Sequence, residues 1–195
     1  ENTLTIPLPE DSTRFFVVEE FPAPPETVYF ANFDDGPAGW ISGSIGDLGT
    51  LWEIGTPSGV GPSGAFSAPS CFGTNIAEVT TQNIVIFLRS PVIDLTTAGS
   101  ATLNFQQFLD IEPPSGQQFF DWGTISVLSA GDDSVLAIVQ DNITGFSDEW
   151  EGYSRKLPEA ALGNEIRLEF QFRSDEVDFV PAAGWYIDDV EVTVP

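Results

Sequence analysis

The sequence contains no histidine and a single cysteine, Cys71. The first absence removes the usual general base of serine and cysteine hydrolases, the HExxH zinc site and every histidine-ligated metal centre. One cysteine neither closes a disulfide within the chain nor builds a thiolate zinc site alone, and its default reading is a buried, inert thiol. Basic residues are also scarce. Six Lys and Arg stand against thirty Asp and Glu, a net charge of −24. A field of that sign repels phosphate backbones, which excludes nucleic acid as a partner, and it disfavours anionic membranes and polyanionic glycans. No apolar run approaches the roughly 18 residues of a membrane span, so membrane insertion is not expected. Methionine is absent as well, and the chain opens at Glu1 in a polar stretch without a signal-peptide pattern. The expectation is a mature fragment of a larger protein.

What is present is enough apolar material for a core. Hydrophobic residues make up 42% of the 195 positions, with 16 Phe and 5 Trp, which suits one large all-β domain. Helical signals shrink to one turn at Pro158 to Leu162. Strand signals recur instead. Ile166, Leu168, Phe170 and Phe172 alternate with Arg167, Glu169, Gln171 and Arg173. Ala101 to Leu109, Gly123 to Ser129 and Val135 to Val139 fit the same period of two. The continuous run Ile84 to Leu88 predicts a central strand covered on both faces, and Trp185 to Val194 a closing strand. Pro- and Gly-rich punctuation at Thr56 to Gly64 and Glu112 to Gly116, without βαβ alternation, points to an antiparallel sandwich. Residues 1–27 look different. Their strand-like pieces are followed by Phe21 to Pro25 (FPAPP), a composition that links domains. They are read as the tail of a preceding unit plus a linker, or as an extra strand laid along the sandwich. The sandwich domain itself is assigned to residues 28–195.

From Phe30 onward the order of motifs becomes specific. Phe33-Asp34-Asp35-Gly36 and Gly39-Trp40 are followed by Trp52 to Pro57 (WEIGTP) and Cys71 to Asn75 (CFGTN). Leu88 to Leu95 (LRSPVIDL) precedes the strand at Ala101, and the chain ends on Arg173-Ser174-Asp175 and Gly184 to Val190 (GWYIDDV). In this order the segments resemble the MAM-like jelly-roll modules of bacterial extracellular proteins, including those appended to immune inhibitor A-type metallopeptidases. The resemblance covers roughly residues 30–195 by motif order, and GWYIDDV is its most specific part. It implies a concanavalin-like or MAM-like jelly-roll β-sandwich whose first and last strands are neighbours. It also implies an accessory role beside a catalytic or adhesive domain, secreted or at a bacterial cell surface, and calcium binding in several members. The peptidase motif itself is absent.

The acidic pairs carry the most chemistry. In an unbroken final strand Tyr186, Asp188, Val190, Val192 and Val194 share a face, which points Asp188 into the core unless a bulge resets the register. A buried carboxylate then needs a cation, an arginine or a fan of backbone N–H donors. Arg89, Arg167 and Arg173 are the arginine candidates. With first and last strands adjacent, Asp34 or Asp35 approaches Asp188 or Asp189, and calcium, which takes 6–8 oxygens, is the economical neutraliser. Asp121 is added from a loop leading into a strand. Asp132-Asp133 reads as a hairpin turn, and the acidic clusters at Asp148 to Glu151 and Asp175 to Asp178 as loops. Trp40, Trp52 and Trp185 are expected in the core, whereas Trp122, Trp150 and Tyr153 lie near loops and are the candidates for an exposed ligand platform.

Three functions compete. The leading one is a non-catalytic module that binds a glycan or protein outside the cell, with structural calcium. The second is a structural spacer packed on a neighbouring catalytic domain. The third is an enzyme, which three Tyr, one Lys and no His reduce to an Asp/Glu pair across a cleft.

Overall fold

The computed structural model describes residues 23–46, 51–176 and 181–195. Most of the proposed 1–27 extension lies outside the described residues, but its last two positions, Glu26 and Thr27, already belong to the first strand. In chain order the strands are β1 (Glu26–Ala31), β2 (Ile41–Ser44), β3 (Glu53–Gly55), β4 (Cys71–Gly73), β5 (Val85–Arg89), β6 (Ile93–Asp94) and β7 (Thr102–Ile111). They continue with β8 (Trp122–Ser129), β9 (Val135–Ile143), β10 (Gly145–Phe146), β11 (Glu151–Lys156), β12 (Glu165–Arg173) and β13 (Gly184–Val194). The expected helical turn is a single 3₁₀ turn at Glu159–Ala161.

The strands form two antiparallel sheets, a jelly-roll sandwich. In the first, β13 lies between β7 on one side and both β4 and β1 on the other, with β3 outside β4 and β10 and β11 outside β7. The second runs β2-β5-β12-β8-β9, with β6 also on β12. First and last strands are neighbours, as the resemblance implied. Ala31 faces Val190 and Glu26 faces Val194.

The core follows the alternation read from sequence. Ile166, Leu168, Phe170 and Phe172 of β12 face Leu103, Phe105, Leu109 and Ile111 of β7 as parts of one buried cluster. Trp40, Trp52 and Trp185 are buried there too. Phe170 takes the edge of Phe105 at 5.2 Å between centroids and packs against Trp185 at 5.6 Å. Offset and edge-on pairs of this kind add to the burial of their area.

The run at Ile84 to Leu88 departs from expectation. Only Ile86 and Leu88 of β5 enter the core, while Phe87 points to the outer face and is half-buried. β5 sits beside the edge strand β2, and among the described residues no further sheet covers its outer face. Phe87 is shielded locally instead. Its ring lies over Gly43, where an added Cβ would meet it at 2.3 Å, and the Arg89 guanidinium lies 4.2 Å from its centre.

Candidate functional site

Asp188 does not point into the sandwich core. Asp188 pairs with Gln106 and Glu191 with Asn104, so β13 spends three steps where β7 spends two. That extra residue is a β-bulge, with Asp189 in the left-handed region at φ 47°, a conformation Asp tolerates better than most residues. The bulge reverses the alternation. Trp185 and Ile187 face the core before it and Val190 and Val192 after it, leaving Tyr186 and Asp188 on the outer face.

That outer face is closed over by the Gly- and Pro-rich connection between β3 and β4. Tyr186 lies against Gly61 and Gly73, where an added Cβ would sit 2.6 and 2.7 Å from its ring, and its hydroxyl donates to the Asn75 carbonyl at 2.7 Å. Cys71, Ala183 and Tyr186 form a second buried cluster with Val60, Ala65, Ile76, Phe108 and Trp150 packed around it. The expected buried, inert thiol is there. Burial, then the Asp188 charge, push the Cys71 pKa up, which removes thiolate reactivity.

Asp188 is buried outright beneath this connection. The Ser67 N–H donates to Oδ2 at 3.0 Å and the Asp189 N–H to Oδ1 at 2.8 Å. Of the three partners expected for this carboxylate, the structure supplies backbone N–H donors. The arginines are engaged elsewhere. Arg89 Nε meets Glu169 at 2.6 Å, Arg89 and Arg167 both reach Asp133, and Arg173 lies over the Trp122 ring. Burial, opposed by those N–H bonds and reinforced by the neighbouring Asp189 charge, pushes the Asp188 pKa up to about 7.

The five acidic residues expected around calcium do not converge. No group of three or more Asp, Glu, Cys or His able to hold a metal occurs among the described residues. Asp188 and Asp189 are brought together by the Ser67 hydroxyl, which donates to Asp189 Oδ1 at 2.7 Å. Asp121 is buried at the start of β8 in the opposite sheet, where Oδ1 accepts the Asp175 N–H at 3.1 Å. Asp35 is exposed. Asp34 sits in the turn after β1. Its Oδ2 accepts from Asn32 Nδ2 at 2.8 Å, and its Oδ1 is buried without a hydrogen-bond partner among the described residues. The Asp188 carboxylate, its oxygens taken by N–H donors, is a poor fit to a cation, whereas Asp34 Oδ1 is a buried acidic oxygen with no donor among the described residues.

The three aromatic candidates are not an exposed platform. Trp150 is half-buried, donates from Nε1 to the Gly64 carbonyl at 3.0 Å and packs on Phe66 and Phe108, so it clasps the covering connection. Tyr153 stacks on the core residue Phe105 at 4.5 Å. Trp122 lies half-buried under Arg173. Each ring is held by a neighbour that local sequence does not reveal.

The open part of the same sheet face holds a groove of about 450 Å³. It is lined by Phe30, Asn104, Gln106, Gly152, Ser154, Asp189 and Glu191, together with Phe105 and Tyr153. Of these only Tyr153 and Asp189 stood among the sequence candidates. The period-two pattern of β7 does place Asn104 and Gln106 on a polar face, which was the available signal.

No family model matches the sequence, and no curated protein matches it. Solved structures do. The K1 cleaved adhesin domain of Lys-gingipain from Porphyromonas gingivalis is similar over 86% of this chain and 98% of its own, at 16% identity and a TM-score of 0.60. The K2 cleaved adhesin domain of the same protein covers 86% and 99%, at 14% identity and a TM-score of 0.52. An apo-form cyclase from a Fischerella species covers 86% and 87%, at 16% identity and a TM-score of 0.52. These likenesses establish the sandwich fold, and they span an adhesin and an enzyme, so the fold alone does not assign an activity. The MAM-like resemblance continues to rest on its motifs. No helix of the described residues is long and apolar enough to cross a membrane.

Proposed function

We propose that this chain is a non-catalytic accessory module of a larger bacterial protein, secreted or held at the cell surface, where it binds a glycan or protein partner. The supporting observation is the match in extent. One sandwich, running from β1 to β13, corresponds to nearly the whole of a cleaved adhesin domain of a bacterial protease. An open groove on one sheet face gives such a module a place to bind.

The cyclase likeness makes an enzyme the reading to weigh against it. An acid–base catalyst with a pKa near neutrality must reach its substrate. Asp188, pushed up to about 7, has that pKa but is sealed beneath the connection between β3 and β4. Without histidine, the groove is left with carboxylates, amides and a hydroxyl. These groups suit recognition. Calcium belongs to the proposal as a structural ion at the Asp34 turn.

The test is binding of the labelled chain to arrayed bacterial and host glycans and to extracellular-matrix proteins. Saturable binding to any member supports an interaction module. Uniform absence of binding overturns it in favour of a spacer that packs on a neighbouring domain.

A further inference from the structure

We propose that the groove on the outer face of the first sheet is a binding site for a neutral glycan, with Phe30 as the ring against which a sugar packs. This rests on the reading of the chain as an interaction module and names the ligand class of its site.

Strand register builds the groove. Phe30 of β1 faces Glu191 of β13, Glu191 faces Asn104 of β7, and Asn104 faces Ser154 of β11. Four strands thus contribute one row of side chains to one surface. The adjacent row runs from the bulge through Gln106 to Gly152. Gly152 has no side chain, and the space above it is shared only with the Gln106 amide at 3.7 Å and beyond, so the second row forms the floor. The covering connection ends beside it, where Ser67 is tied to Asp189.

The chemistry of the lining selects the ligand. Among the described residues no basic side chain lines the groove, and the net charge of −24 turns away phosphorylated, sulfated or sialylated ligands. A cationic peptide would meet the carboxylates of Asp189 and Glu191, each with one oxygen still open, and it is the amides that favour the glycan. Glu191 Oε1 already accepts from the Thr27 hydroxyl, and Asp189 Oδ1 from Ser67. The amides add donors that a cation cannot use. Asn104 accepts from Ser154 through Oδ1, which leaves its NH₂ to donate. The Gln106 side-chain amide makes no hydrogen bond among the described residues, so it offers both a donor and an acceptor. Planar amides and carboxylates on neighbouring strands, each with an unused polar atom, match ligands whose vicinal hydroxyls donate and accept together. Phe30, 55% exposed beside them, supplies an apolar face for the C–H side of a pyranose. A volume of about 450 Å³ lies in the range of roughly 300–1,000 Å³ common for small-ligand sites.

The test uses the chain on an array of neutral oligosaccharides, sialylated and sulfated oligosaccharides, and a Lys-rich peptide, followed by calorimetry with the best neutral oligosaccharide. Phe30→Ala, Gln106→Ala and Glu191→Gln change groove residues, while Ile138→Ala on the opposite sheet is the control; circular dichroism confirms that each variant folds. The expected result is neutral-glycan binding weakened at least tenfold by Phe30→Ala and Gln106→Ala and unchanged by Ile138→Ala. Preference for the peptide or for anionic glycans overturns the ligand class. Neutral-glycan binding indifferent to the groove variants overturns the site. Both outcomes leave the module reading standing, whereas absence of binding to every probe here and to every matrix protein overturns the two together.

Discussion

The main-chain N–H of Ser67 donates to Asp188 Oδ2 at 3.0 Å across 121 positions of sequence. This one bond ties the connection between β3 and β4 to the bulge of β13. It also seals over the carboxylate whose pKa is displaced to about 7 from an ordinary 3.8. Between those two pH values the folded protein holds a proton on Asp188 that the unfolded chain releases. The stability from this group is therefore fully present below about pH 4 and is lost as pH rises through 7. Asp189, beside it, and the Cys71 thiol are the titratable neighbours that bear on Asp188 or respond to it.

Asp188→Asn is accordingly expected to flatten the fall in stability between about pH 4 and pH 7, measured as urea midpoints. The amide cannot accept at its nitrogen, so one N–H of Ser67 or Asp189 loses its acceptor at every pH, a cost of about 1–3 kcal/mol. Parallel pH profiles for the two proteins would show that Asp188 titrates normally.

Gly123 of β8 lies against the indole of Trp185, and a Cβ there would sit 2.5 Å from the ring. Both positions are buried, and Trp185 is wedged between Trp52 and Phe170, so the ring has little room to retreat. Gly123→Ala should cost about 1–3 kcal/mol by overpacking, with a change in the near-ultraviolet tryptophan signal. A loss below about 0.5 kcal/mol, in the range of ordinary surface changes, would mean that the sheets slide apart at this point.

Arg89 holds Glu169, which is 5% exposed, at 2.6 Å and also reaches Asp133 in the β8–β9 turn at 3.1 Å. Removing it strands a nearly buried carboxylate. Arg89→Met should destabilise by about 1.5–3 kcal/mol, and Arg89→Met with Glu169→Leu should recover most of the loss. Additive losses in chemical denaturation would show that the two side chains act independently.

Period-two alternation made the fold legible. It located β7, β8, β12 and β13 and named the four core residues of β12, although Glu169 between them is also buried beneath Arg89. The valine face of β13 was also correctly named as core, yet Asp188 does not share it, because one extra residue at Asp189 shifts the register and its only local mark is an Asp-Asp pair. The misreading of Trp150 has another cause. Its exposure depends on the Gly64 carbonyl, 86 positions away, and no local pattern reports that closure. The groove was illegible for the same reason. Phe30, Glu191, Asn104 and Ser154 become neighbours only through the pairing of four strands.

Calcium provides the last prediction, and the proposal sets it at the Asp34 turn rather than at the bulge. The sequence placed the ion where Asp34 and Asp35 meet Asp188 and Asp189, but no hydrogen bond or ion pair joins those pairs among the described residues. The Asp188 oxygens accept from main-chain N–H donors that a cation would have to displace. Asp34 Oδ1 is instead buried without a hydrogen-bond partner among the described residues, a position that costs free energy unless something positive or a donor fills it. Calcium at one hundred times its dissociation constant stabilises a folded state by about 2.7 kcal/mol, roughly 5–10 °C in Tm for a chain of this size. The EDTA-treated protein should gain a shift of that order with calcium at fixed ionic strength and much less with magnesium, which demands tighter octahedral geometry. Asp188→Asn should keep the shift and Asp34→Asn should lose it. A shift lost in Asp188→Asn but kept in Asp34→Asn would return the ion to the bulge, and no shift in the parent protein would remove calcium from the account.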